Sequence, residues 1–344
     1  MITGKVVVTG GGGFIGKALV NALLREGSEV VVIGRNPYPE LSAEGVVCLQ
    51  GDIRDRDFLF RSFAGCSTVF HVAAKAGIWG PRSEYFAINT MGTENIIAAC
   101  RHNDVPNLIY TSTPSVVFDR QDIEGGDESL PYARKPLCHY AASKIAAEQA
   151  VLHANNERLR TVAIRPHLVW GPGDHHLIPR LIERGRTGLL KIVGSGGNRV
   201  DIAYIDNVVH AHLLAADNLQ STSTAAGQAF FIGQKNPVVL WSWINELFVQ
   251  VGISPVRNRI PFFLAYAVGG LLEIGGAMAG RTEEPKMTRF LAHQVAQSHW
   301  FSHQKAEKIL GYQELIASET GMSRLLDWLD GTSALVCGKE GRKN

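Results

Sequence analysis

The 344-residue chain is short of charge. Asp, Glu, Lys and Arg make up 19% of it, and 34 basic against 32 acidic residues leave a formal net charge of +2. A nucleic-acid binder shows a basic excess, often interleaved with aromatics, and neither is present. Cysteine is sparse as well. Cys48, Cys66, Cys100, Cys138 and Cys337 are scattered, odd in number and without CxxC spacing, so reduced thiols in a cytoplasmic protein are expected. Lys5 already starts a strand, which leaves no room before it for a secretory signal peptide. No internal repeat or low-complexity tract occurs. The 12 histidines offer no metal site: His299 and His303 are four apart, but no third ligand has recognisable spacing.

Long hydrophobic runs are also missing, with one exception. Residues 261–280 read PFFLAYAVGGLLEIGGAMAG. Glu273 lies inside this run, and a carboxylate at a helix centre costs roughly 2.5–3.5 kcal/mol in a bilayer. The glycines weaken the helix further. A helix lining an apolar pocket is expected here, with a peripheral membrane contact as the alternative.

What the chain does have is 45% apolar residues, enough for one large domain and a smaller one. Strand and helix signals alternate through the first half. Strands are expected at 5–9, 29–33, 46–50, 68–72, 107–111 and 161–165, with helices at 14–25, at 140–153 and in a long segment capped by Ser83. Apolar strands between amphipathic helices mean a parallel sheet covered on both faces. The expected fold is α/β, a doubly wound parallel sheet of the Rossmann type with a smaller C-terminal substrate-binding lobe. Residues 1–168, with 200–232 returning through a short strand at 201–206 and a helix at 207–216, make the cofactor domain. Residues 169–199 and 233–330 make the lobe, which holds most of the tryptophans. Residues 331–344 read as a flexible tail.

The first strand runs straight into TGGGGFIG. Gly10 allows a tight turn, Gly13 lets the backbone approach a pyrophosphate, and Gly16 lets the next helix pack on the strand. Phe14 and Ile15 open that helix and belong to the same site. At the end of the second strand an NAD-binding protein usually carries an acid for the ribose hydroxyls. Here Gly34 leaves room and Arg35 offers a guanidinium to a 2′-phosphate, so NADP(H) is expected over NAD. The other reading of Arg35 is a side chain pointing to solvent. Asp52 and Ile53 should flank the adenine. Ala73, Ala74 and Lys75 should pass the ribose and pyrophosphate, and Pro166 closes the cofactor set.

Tyr140 and Lys144 stand four apart on a helix and share a face. A phenol with a pKa near ~10 is a poor acid or base at neutral pH, and a nearby ammonium lowers it. A hydroxyl at the end of the fifth strand, Thr113 or Ser112, would hold the substrate oxygen. Together with the glycines, these residues point to a nicotinamide-dependent oxidoreductase. Lys75, Trp79 and His139 are candidate substrate contacts, Lys75 first if the substrate carries a carboxylate. His175 and His176 follow the GPG turn, and His210 and His212 lie near the domain seam.

TGGGGFIG, GDIRD, HVAAKAG, YTSTPSVVF, YAASK, IRPHLVWGPGD and VDIAYIDNVVHAH resemble the extended short-chain dehydrogenase/reductase family in content and order, over about two thirds of the chain. The chain is most similar to the 3β-hydroxysteroid dehydrogenase branch. Within that branch HVAAKAGIWG, YTSTPSVV and GPGDHHLIPRL resemble the bacterial 2-alkyl-3-oxoalkanoate reductases of olefin biosynthesis. The resemblance implies Tyr140 as acid/base, Lys144 as its partner, Thr113 where serine is usual, and Asn89 in support of a proton path. It also implies an apolar 3-oxo or 3-hydroxy substrate, a homodimer and other enzymes of the same lipid pathway as partners. A nucleotide-sugar epimerase or dehydratase, a steroid dehydrogenase and a non-catalytic dinucleotide sensor are the rival readings.

Overall fold

The computed structural model describes residues 2–340, with side chains as far as Gly331. Seven strands form one sheet: β1 (Lys5–Thr9), β2 (Glu29–Gly34), β3 (Val47–Gln50), β4 (Cys66–His71), β5 (Asn107–Thr111), β6 (Arg160–Pro166) and β7 (Gln228–Ile232). Their order is β7-β6-β5-β4-β1-β2-β3, and every pairing is parallel. The alternation of side chains along each strand divides the core in two. Val6 and Val8 of β1 and Val30 and Val32 of β2 pack with Leu19 and Leu23 on one face. Val7, Val31 and Ile33 pack with Leu59, Phe63 and Ile96 on the other. Valine and isoleucine serve both faces because both are covered.

The chain winds outward from β1 in both directions, so a crevice opens at the carboxyl ends of β1 and β4, where such sheets bind ligands. A buried contact marks the junction. His71 at the end of β4 hydrogen-bonds Thr9 Oγ1 at 2.8 Å and Thr93 Oγ1 at 2.9 Å, and burial drives its pKa down to about 3, leaving a neutral imidazole.

Three sequence expectations change. The seventh strand is Gln228–Ile232. The 201–206 segment instead contributes Ala203–Tyr204 to a two-stranded ladder with Val169–Trp170. The long helix starts at Arg82 with Pro81 as its cap rather than Ser83, and passes through a π turn, Phe86–Met91, before continuing as Gly92–His102. The segment from 331, expected as a tail, continues the helix Ser318–Glu340; residues 341–344 lie outside the described residues.

The apolar run forms the helix Phe262–Met278. Among the described residues no helix is long and apolar enough to cross a membrane. Ala265, Gly269 and Gly276 are its buried positions, whereas Phe263, Leu271, Ile274 and Met278 are exposed. Glu273 is bound to Arg289, whose Nε donates at 2.7 Å.

The helix His139–His153 is fastened to the sheet by a buried chelate. Arg165 on β6 donates to both Glu148 oxygens, Nε at 3.0 Å and a terminal nitrogen at 2.5 Å. Tyr132 donates to the same carboxylate at 2.8 Å. The two charged side chains are 4% and 0% exposed, so removing one strands the other in low dielectric. Arg165→Met is expected to lower the unfolding free energy by about 3–5 kcal/mol, and Arg165→Met with Glu148→Leu to recover most of it. Urea unfolding of both variants decides this; a single variant as stable as the double would show that the pair is not a buried couple.

Candidate active site

The glycine turn is built as its spacing requires. Gly10 takes φ +71°, and a Cβ there would stand 2.8 Å from the Ala73 Cα. A Cβ on Gly16 would lie 2.1 Å from the Gly10 carbonyl oxygen, so helix and turn are in backbone contact. The helix Phe14–Arg25 starts at Gly13 with no side-chain cap and no acidic residue in its first turn. Its leading N–H groups and positive dipole end are therefore open to an anion. Gly10, Gly13 to Gly16, the end of β2, Asp52–Ile53, Ala73–Lys75 and Pro166 line one cleft of about 610 Å³, a size suited to a small-molecule cofactor. Every cofactor and catalytic residue expected from the sequence is in this cleft, as is His176.

Thr113, Tyr140 and Lys144 lie in the same cleft. Thr113 caps the 3₁₀ turn Pro114–Val116; its hydroxyl donates to Ser115 Oγ at 3.2 Å and accepts from the Ser115 N–H at 3.2 Å. It also lies near enough to the Tyr140 phenol to work against the rise of that phenol's pKa. Ser112 Oγ is buried without a partner, so between the two hydroxyls it is Thr113 that meets Tyr140. Ser115 was missed, although TSTPS puts a second hydroxyl two residues beyond Thr113.

Lys144 Nζ donates to the Thr111 carbonyl at 2.7 Å and sits 4.1 Å from the centre of the Tyr110 ring. Desolvation pulls its pKa down to about 7, and the Glu148 carboxylate pushes back. Tyr140 moves the other way. Desolvation raises its phenol to about 12, against the influence of the nearby Thr113 hydroxyl. The expected lowering of the phenol by Lys144 is absent, because the ammonium is turned toward Thr111 and Tyr110.

Asn89 ties the cofactor side to the catalytic helix. It accepts from the Lys75 N–H at 2.7 Å, donates to the Lys75 carbonyl at 3.1 Å and donates to Ser143 Oγ at 2.9 Å. Ser143 in turn donates to the Tyr140 carbonyl at 2.8 Å. The π turn puts Asn89 at this junction, as such turns often do at functional sites. Lys75, a candidate for a substrate carboxylate, is paired with Glu84 at 2.9 Å. Trp79 and His139 line a second cavity of about 490 Å³, which shares Ile78 and Phe290 with the cofactor cleft. His299 and His303 do not converge: His299 bonds His167 at 2.6 Å and His303 bonds Asp201 at 3.2 Å. His212 hydrogen-bonds Thr111 Oγ1 at 2.8 Å.

A second expectation fails. Gly34 leaves no free room, because a Cβ there would stand 2.1 Å from the Tyr38 hydroxyl oxygen. Arg35 is exposed at the cleft edge.

Comparison with known proteins agrees with this geometry. Residues 7–262 match the model of the 3-beta hydroxysteroid dehydrogenase/isomerase family. A 2-alkyl-3-oxoalkanoate reductase of Shewanella oneidensis is 46% identical over 92% of this chain and 84% of its own length. One from Stenotrophomonas maltophilia is 43% identical over 93% and 98%. The human sterol-4-alpha-carboxylate 3-dehydrogenase, decarboxylating, is 35% identical over 93% and 87%. Among solved structures, MoeE5 in complex with UDP-glucose and NAD superposes with a TM-score of 0.71 at 25% identity, covering 96% of this chain and 99% of that one. The gox2253 structure superposes at 0.78 with 24% identity, over 95% and 98%. The chain is an oxidoreductase with a nicotinamide dinucleotide cofactor.

The Lys144 shift has a measurable sign. Its folded pKa of about 7 lies below the ordinary 10.5. Below pH 7 both states are charged and the folded state bears the full cost of a buried ammonium. Between the two values the unfolded chain binds the extra proton, so stability gained at this site rises with pH. Lys144→Met should therefore be most stabilised relative to wild type at roughly pH 6, with more than half of that advantage gone by roughly pH 9 and the rest lost only as the pH passes the ordinary lysine value of 10.5. Chemical unfolding at the two pH values tests this; a pH-independent difference would show that the lysine keeps its ordinary affinity for the proton.

Proposed function

We propose, for a chain that belongs to the 3-beta hydroxysteroid dehydrogenase/isomerase family, that it is an NADPH-dependent reductase of large apolar 3-oxo acids, 2-alkyl-3-oxoalkanoates above all. The observation that carries this reading is the position of Tyr140 and Thr113 in a cleft that shares Ile78 and Phe290 with a neighbouring cavity lined by Trp79, Leu137 and Gly276. A ketone held by Thr113 can place its alkyl part against Ile78, Trp79, Leu137 and Phe290 of that cavity, whose wall also carries Glu273, Arg281 and Arg289. The relatives support the acid. The names of both enzymes put a carboxylate on the carbon next to the one that changes oxidation state. NADP rather than NAD is supported by Arg35 and by the missing acid at Gly34.

Bound NADPH supplies the hydride. The protein supplies position and a proton. Thr113 and Ser115 orient the carbonyl oxygen, and Tyr140, held protonated by its raised pKa, donates as that oxygen gains charge. Lys144 sits one helical turn behind the phenol, and Glu148 one turn behind Lys144. The phenolate left by donation draws the proton equilibrium of Lys144 toward the ammonium, which limits the cost of the new charge.

Tyr140→Phe keeps the ring and removes the donor. NADPH oxidation with 2-alkyl-3-oxo acids should fall by roughly 10²-fold or more in kcat, the range expected for a lost general acid, with NADPH binding unchanged. A screen of 2-alkyl-3-oxo acids, 3-oxosteroids and UDP-sugars tests the substrate class, and turnover confined to the sugars would overturn it. We further propose a homodimer that pairs the helices Gly92–His102 and His139–His153 across a two-fold axis; a monomer mass by light scattering at micromolar concentration excludes it.

A further inference from the structure

Two glycines of the cofactor cleft have no role in the glycine motif. Gly12 lies inside the turn, and Gly34 ends β2. The structure gives them a common reason. A Cβ on Gly12 would stand 1.9 Å from a ring carbon of Tyr38, and a Cβ on Gly34 2.1 Å from its hydroxyl oxygen. The Tyr38 ring therefore spans from the glycine turn to the end of β2, and both positions must be glycine to admit it.

The ring is also held in place. Tyr38 is flanked by Pro37 and Pro39, and a residue before proline is kept out of the helical region; Tyr38 has φ −126° and ψ 73°. Pro39 starts the short helix Pro39–Ala43, which is anchored by the buried Leu41. The Tyr38 carbonyl accepts from the Ser42 N–H at 3.0 Å. The hydroxyl, by contrast, makes no hydrogen bond among the described residues, and the side chain lines the cleft.

In this fold the end of β2 is where the adenosine ribose is read, by an acid for the 2′-hydroxyl or by an arginine for a 2′-phosphate. The Tyr38 oxygen occupies the point where the side chain of such an acid would start. A phenol donates a hydrogen bond without carrying negative charge. It is thus compatible with a phosphate that an acid would repel, and Arg35 stands at the next position in the chain.

We propose that Tyr38 is a cofactor-selecting residue, its phenol joining the Arg35 guanidinium to form the subsite for the 2′-phosphate of NADP. This inference rests on the NADPH reading given above. It assigns to Gly12 and Gly34 the role of making space for the phenol rather than for the ribose.

Binding of 2′,5′-ADP and of 5′-ADP to the full-length protein, measured by calorimetry, tests it without turnover. Wild type should prefer 2′,5′-ADP. Tyr38→Phe keeps the ring but removes the donor. It should weaken 2′,5′-ADP by about tenfold or more, the worth of a hydrogen bond to a charged group, and leave 5′-ADP unchanged, which also reports an intact fold. Arg35→Ala should reduce the same preference, and the double variant should abolish it. If wild type shows no preference, the NADPH reading fails and this proposal with it. If wild type prefers 2′,5′-ADP and Tyr38→Phe retains the full preference, the Tyr38 assignment alone is overturned. Equal weakening of both ligands would also overturn it, because it would make the phenol a general wall of the cleft.

Discussion

The chelate between Arg165 and Glu148 is the constraint on which the catalytic arrangement depends. It joins β6 to the middle of the helix that carries Tyr140 and Lys144. A second tie, from Lys144 Nζ to the Thr111 carbonyl, joins the same helix to β5. With one helix registered on two neighbouring strands, Tyr140 is fixed relative to Thr113 just beyond β5 and to Pro166 at the end of β6. The Asn89 bridge extends this register to the Lys75 loop after β4. A proton donor must be held to within a fraction of an ångström of its target, and here that tolerance is met by buried polar contacts rather than by the exposed loops.

Burial also drives the electrostatics of the pair apart. The phenol goes up to about 12 and the ammonium down to about 7, so at neutral pH the tyrosine is firmly protonated and the lysine is poised between its two forms. Groups pushed apart in this way take separate acid and base roles. In the proposed reduction the phenol is the acid. The lysine, titrating near neutrality, can take up charge in response to a phenolate. The two protonations are coupled, and the pair rather than either residue sets the pH response.

Much of this was legible in the sequence because it rests on local patterns. The alternating valines of KVVVT and EVVVI needed cover on both faces, and they obtained it. Gly10, Gly13 and Gly16, the i, i+4 spacing of Tyr140 and Lys144, and the hydroxyls of TSTPS brought the expected residues into a single cleft. What was not legible rests on contacts distant in sequence or on competition between neighbours. The strand Gln228–Ile232 reads like any apolar run until its place beside β6 is known. Ser83 has good capping chemistry, but Pro81 already supplies the extended residue from which the helix starts. Lys75 is a free cation only as long as Glu84, nine residues on, is ignored. Tyr38 went unread because Gly34 had been read as room beside the ribose, and Gly12, inside the glycine turn, had been given no role of its own.

The helix Phe262–Met278 shows why hydropathy misleads when residue size is left out. A surface helix normally turns its large apolar side chains to the core. Here the inward positions are Ala265, Gly269 and Gly276, and the approach they allow is close. A Cβ on Gly269 would stand 2.7 Å from the Thr288 carbonyl carbon, and one on Gly276 3.1 Å from the Trp79 indole. Phe262 and Tyr266 at the start of the helix still pack inward, against Ala265, Ala292 and His293, but at the close approaches further along it is the small residues that face in, and Leu271, Ile274 and Met278 are left exposed. The same closeness shapes the second cavity, where Gly276 and the Trp79 indole lie side by side in the lining. A side chain there would push against the indole and narrow the chamber. Part of the wall of that cavity is therefore a glycine that a hydropathy profile counts as neutral, while Phe263, Leu271 and Leu272, which weigh heavily in the profile, are exposed.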